Sequence, residues 1–104
     1  MSIVLFQYSC GEKLEIHISK TIMFEGRLYQ MDVEEPFSGL VYNTYPNGQR
    51  EYEGKYKGGK PNGLLVGWYK NGNKMREGKL KDGIPVGRWI NYKEDGSVKE
   101  TKDH

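Results

Sequence analysis

Alanine, the strongest helix former, is absent from the 104 residues, while glycine occurs 14 times. That pairing argues against a helical bundle. A single cysteine, Cys10, excludes an internal disulfide and a multi-cysteine zinc site. The two histidines, His17 and His104, are far apart in sequence, so no metal centre is expected. No stretch approaches the ~18–20 consecutive apolar residues that span a bilayer. The apolar run Ile3 to Phe6 is too short for the core of a secretory signal, and no Lys or Arg precedes it. "QYSC" resembles a lipoprotein cleavage site only loosely, since Gln7 stands where an aliphatic residue is expected. The expected compartment is therefore cytoplasmic. The alternative is a lipid anchor on Cys10, if the true start lies upstream.

What the chain does contain is a repeat. Gly39, Gly63 and Gly87 are spaced by 24 residues, as are Gly48, Gly72 and Gly96; Gly54 and Gly78, then Gly59 and Gly83, keep the same interval. A period of this size signals an array of small supersecondary units. Asn47, Asn71 and Asp95 precede the second glycine set, and the resulting Asn-Gly and Asp-Gly pairs suit two-residue hairpin turns. Pro61-Asn62-Gly63 and Pro85-Val86-Gly87 are read as the other turn of each unit. Between the turns, "LVYNTY", "LLVGWY" and "RWINYK" are β-branched, aromatic and short enough for strands. Their partners "REYEGKY", "KMREGKL" and "SVKET" alternate with charge.

The spacing predicts an all-β fold: a long antiparallel meander of stacked β-hairpins with an N-terminal hairpin cap. One domain covers 1–104, with the cap at 1–35 and repeats at 36–60, 61–84 and 85–104. Superposing the first strands aligns Tyr42, Val66 and Ile90 in one row and Thr44, Trp68 and Tyr92 in another. Val41, Leu65 and Trp89 fall on the opposite face. No single hairpin is stable alone in water, so each unit needs its neighbour.

The phrases "EEPFSGLVYNTYPNGQREYEGKYKGGKPNG" and "LLVGWYKNGNKMREGKLKDGIPVGRWINYKEDG" carry a resemblance to the MORN-repeat variant family. More narrowly, they are similar to its small bacterial members labelled antitoxin-like. The resemblance covers about residues 25–100. It implies an open, curved antiparallel sheet of stacked hairpins without a catalytic centre, a role in interaction with protein or phospholipid, and, in the antitoxin-like members, the binding and silencing of a toxin.

The catalytic motifs in the chain are incomplete. "GKYKGGKP" follows the phosphate-loop spacing as far as Lys60, but Pro61 replaces the hydroxyl that would hold Mg²⁺, and no helix follows. Cys10 with His17 is read as a small turn residue and an exposed histidine rather than a nucleophile and its base. The acid pairs Glu34-Glu35 and Glu51/Glu53 read as solvated surface. No enzyme activity and no cofactor are expected.

Binding is the leading expectation, with another protein as partner and a toxin as one such partner. Tyr45, Trp68, Tyr69, Trp89 and Tyr92 are the candidate contact residues, because aromatics dominate interface energetics. Charge is unevenly spread. Residues 1–54 carry 4 basic and 8 acidic side chains, a balance of −4, and residues 55–104 carry 12 and 6, a balance of +6. Glu34, Glu35, Glu51 and Glu53 would then dock a basic partner. The +6 half supports anionic membrane as the second choice. Lysines interleaved with rings also suit nucleic acid, a weaker reading because repeat packing demands the same rings. Pairing of free sheet edges into a homodimer is the structural alternative.

Overall fold

The computed structural model describes residues 14–104. Cys10 and the first half of the expected N-terminal hairpin lie outside the described residues. Nine strands follow: β1 (Glu15–His17), β2 (Thr21–Phe24), β3 (Arg27–Gln30), β4 (Gly39–Thr44), β5 (Arg50–Lys57), β6 (Lys60–Trp68), β7 (Lys74–Lys81), β8 (Ile84–Tyr92) and β9 (Val98–Asp103). The only helical element among the described residues is a 3-10 turn, Ile18–Lys20. Seven strands form one open sheet in the order β1-β4-β5-β6-β7-β8-β9, and β2 and β3 form a separate two-stranded sheet. The chain is all-β, as the turn spacing and strand composition imply. No helix among the described residues is long and apolar enough to cross a membrane.

One expectation is corrected at the N-terminal end. The sheet is mixed, because β1 pairs with β4 in parallel, through Glu15↔Leu40, Ile16↔Val41 and His17↔Tyr42. After β1 the chain turns aside through Ile18–Lys20, makes the β2–β3 hairpin, and returns to start β4 at the same end as β1. The gain is apolar burial: Ile16 is set beside Val41, which is fully enclosed. Leu28 from β3 and Phe37 from the following loop complete this core, with Ile18 and Tyr56 packed against it. Three backbone bonds tie the layer together. Leu28 N–H donates to the Gly59 carbonyl, Gly59 N–H to the Phe37 carbonyl, and Phe37 N–H to the Leu28 carbonyl. The β2–β3 hairpin thus covers one end of one face of the sheet.

From β4 onward the pairing is antiparallel and periodic. A single row, Tyr42–Glu53–Val66–Glu77–Ile90–Thr101, crosses six strands in register. It contains the Tyr42, Val66, Ile90 alignment that the 24-residue spacing predicts. Bulges repeat at the same interval. The pairing slips by one residue at Glu51, at Met75 and at Lys99, each on the return strand of its hairpin. Between hairpins, β6 spends two more residues than β5 over the stretch Pro61 to Leu65, and β8 does the same against β7.

The turns are the second correction. Each Asn-Gly or Asp-Gly pair sits in a three-residue loop instead of a two-residue one. Gly48 N–H donates to the Tyr45 carbonyl while Tyr45 N–H donates to the Gln49 carbonyl, and both bonds recur at Tyr69/Gly72/Asn73 and Lys93/Gly96/Ser97. Only the glycine has positive φ, near +92° to +95°. The side-chain oxygens of Asn47, Asn71 and Asp95 instead accept from the backbone N–H two residues on, at Gln49, Asn73 and Ser97. The two-residue turns with positive φ at both centres are Glu25-Gly26, Gly58-Gly59 and Asp82-Gly83. Pro61 and Pro85 accordingly lie inside β6 and β8, not in turns.

Candidate functional site

Alternation along the strands sorts the side chains onto two faces. Val41, Tyr52, Leu65 and Trp89 share the face whose first end is covered by Leu28 and Phe37. The other face carries the Tyr42–Thr101 row and has no second layer among the described residues. This open face is the candidate functional surface.

At its Asn-Gly-turn end, aromatic and charged groups interlock. The Arg50 guanidinium lies 3.6 Å from the centre of the Tyr42 ring. It also bonds Glu15 at 2.7 Å and Glu53 at 3.0 Å. Bonding to Glu15 raises the Arg50 pKa further, so its charge is permanent. His17 packs edge-on against Tyr42. Its Nδ1 accepts from Ser19 N–H at 3.1 Å, which leaves Nε2–H to donate to Thr44 Oγ1 at 3.2 Å. His17 is thereby occupied by its own strand neighbours. Trp68 lies on this face and lines a shallow groove together with Gln49, Arg50, Glu53 and Gly72. One repeat on, the Tyr92 hydroxyl donates to Glu77, which Lys74 also bonds at 3.0 Å. These bonds hold the Glu77 carboxyl below the usual carboxylate range, the Tyr92 bond contributing most, and they push the Tyr92 phenol up.

The structure divides the other sequence candidates. Trp89 lies on the opposite face, flat over Gly78, with Nε1–H donating to the Lys79 carbonyl at 3.1 Å. Tyr45 and Tyr69 bridge successive hairpins: the Tyr45 hydroxyl donates to the Trp68 carbonyl at 2.6 Å, and the Tyr69 hydroxyl to the Tyr92 carbonyl at 2.7 Å. The four acids are not gathered into one patch. Glu34 and Glu35 are exposed in the loop before Pro36. The bulge turns Glu51 to accept from Asn43 Nδ2 at 2.8 Å, while Glu53 is engaged by Arg50.

Sequence reasoning missed two features. Arg50 and its partner Glu15 could not be singled out, because Glu15 comes from a strand 35 residues away. The second is at the opposite end of the open face, where Lys55 pairs with Leu40, Lys79 with Leu64, Lys57 with Lys60 and Lys81 with Ile84. Its signal was present as "GKYKGGK" and "GKLKDG", in which Lys55 and Lys57, and again Lys79 and Lys81, stand two residues apart. Among the described residues, no group of three His, Cys, Asp or Glu stands close enough to hold a metal ion. Comparison of the chain with protein-family models, curated proteins and solved structures returned no match.

Proposed function

We propose that the protein is a non-enzymatic binding module whose open sheet face holds another protein. The observation that carries this reading is Trp68 lining a groove with Arg50, whose guanidinium stacks on Tyr42, with Tyr92 one strand pair away, on a face without a covering layer among the described residues. Trp, Tyr and Arg are the residue types that concentrate binding energy at interfaces. The ion pairs and ring contact of Arg50 hold Arg50 and Tyr42 in place, and the bond to Glu77 holds Tyr92, which reduces the ordering cost of association. The repeat phrasing supports an antitoxin- or immunity-type version, in which the face covers a toxin's active site. Such inhibition is steric and asks no chemistry of this chain.

The test is capture of partners from the source cell by the tagged protein, with identification by mass spectrometry. One stoichiometric partner, lost on Trp68→Ala but retained on Trp89→Ala, supports the open face as the binding surface. Loss on Trp89→Ala alone, in a folded variant, moves the site to the other face. Finding no partner removes the reading.

A further inference from the structure

We infer that the lysine end of the open face docks an acidic, extended protein segment carrying an aliphatic side chain. The inference rests on the protein-binding reading and names the partner's chemistry. Its first observation is a pattern. In adjacent strands, Leu40 pairs with Lys55, and Leu64 pairs with Lys79, which pairs in turn with Val86. Aliphatic and ammonium groups therefore alternate across the face. Beyond them, Lys57 stands directly opposite Lys60, and Lys81 opposite Ile84. Like charges at directly paired positions destabilise a sheet. Among the described residues, no acid forms an ion pair with any of these five lysines. The fold thus bears the repulsion without a compensating contact of its own.

The second observation is shape. Leu40, Leu64, Lys55, Lys57, Ser38 and Asn62 line an open hollow of about 670 Å³. Leu64 remains 43% exposed at its floor. Glu53, the acid at the inner end, is engaged by Arg50. Basic walls over an aliphatic floor fit a carboxylate-flanked Leu, Ile or Val. Spacing points the same way. Lys55 and Lys57, like Lys79 and Lys81, are two residues apart on a strand, about 6.6–6.8 Å. Alternate side chains of an extended peptide have that separation, so its carboxylates can match both pairs at once. A flat bilayer surface would engage exposed Ile84 more than half-buried Leu40. Bases of a nucleic acid would find their stacking partners, Trp68 and Tyr92, only at the far ends of the strands.

The experiment titrates the full chain into the fluorescein-labelled peptide Glu-Ser-Glu-Ser-Leu-Ser-Glu-Ser-Glu at low salt, reading anisotropy. In this peptide, glutamates and the leucine share one side when extended. The expected result is saturable binding that weakens steeply with salt. The pair Lys57→Glu with Lys60→Glu weakens it about tenfold or more. Leu64→Ser weakens it as well, as does replacing the peptide's leucine by serine. All substituted positions are exposed or half-exposed, and an unchanged circular dichroism spectrum certifies the fold. The proposal is overturned by absence of saturable binding, by insensitivity to the lysine reversals, or by equal binding of the leucine-free peptide. Phosphatidylserine vesicles that sediment the protein in a Lys57/Lys60-dependent way, while the peptide does not bind, also overturn it in favour of a lipid surface. Should the peptide fail while Trp68-dependent partner capture persists, the acidic segment falls and the protein-binding reading stands.

Discussion

Repeat-equivalent residues in this protein do not have equivalent jobs, and two glycines show why. Gly54 and Gly78 hold the same place in successive hairpins. A Cβ on Gly54 would meet Leu65 Cδ1 at 3.5 Å, an ordinary contact, at a backbone angle any residue adopts. A Cβ on Gly78 would overlap severely with three atoms of the Trp89 indole. Glycine inside a strand here marks a close approach, with the indole lying flat where a side chain would stand. Gly78→Ala is therefore expected to destabilise by about 1–3 kcal/mol through overpacking. Gly54→Ala is expected to stabilise by about 0.5 kcal/mol through lost unfolded-state freedom. Urea unfolding midpoints compare the two, and equal shifts would refute the packing account. A second prediction concerns acid. Glu77 is held below the usual carboxylate range by the Tyr92 hydroxyl, then by Lys74. Its stabilising contribution is complete above the unfolded-chain carboxylate pKa and is lost as pH falls through the lower folded value. Tyr92→Phe should raise the Glu77 pKa and move acid unfolding to higher pH. An unchanged Glu77 carboxyl titration by NMR would sink this. Neither residue-level role was legible in the sequence, because each depends on which side chain faces it across the strand gap.

At the scale of the hairpin, the sequence was legible in period and composition and misleading in turn chemistry. Asn-Gly serves a two-residue turn and a three-residue loop equally well, since Gly accepts positive φ in both. The side-chain caps from Asn47, Asn71 and Asp95 belong to the longer loop. The bulge that accompanies it separates Glu51 from Glu53, which strict alternation would place together. Parallel pairing of β1 was illegible for another reason: Glu15 and Leu40 are joined through a separate hairpin, and no local signal marks a non-local partner. What joins one hairpin to the next is backbone pairing reinforced by the tyrosine bridges. Tyr69→Phe removes a hydroxyl that donates at 2.7 Å to the Tyr92 carbonyl. A loss of about 0.5–1.5 kcal/mol is expected, with the ring packing preserved. Tyr45→Phe should match it at the preceding seam, where the acceptor is the Trp68 carbonyl. No change in the thermal midpoint of either variant would show the bridges to be idle.

For the molecule as a whole, burial is graded along the strand order. The enclosed core of Ile16, Leu28, Phe37 and Val41 lies at one end, whereas every residue of β9 is exposed at the other. Local opening should follow that gradient. Hydrogen exchange is expected to be slowest in β4 and β5 and fastest in β9; uniform protection would mean that the sheet opens as one unit. The charged series Lys99, Glu100, Lys102 and Asp103 along β9 discourages strand addition at that edge. The in-register row from Tyr42 to Thr101, with bulges returning every 24 residues, also sets a rule for how such a chain can change length. Each hairpin adds two strands, roughly 10 Å of new face at the ordinary interstrand spacing. Duplicating or deleting a whole unit keeps every aromatic and lysine on its own side, while an odd-numbered insertion that no bulge absorbs inverts the rest of its strand. Whole-unit gain or loss is thus a route to a longer or shorter recognition surface that leaves the chemistry of each remaining copy untouched.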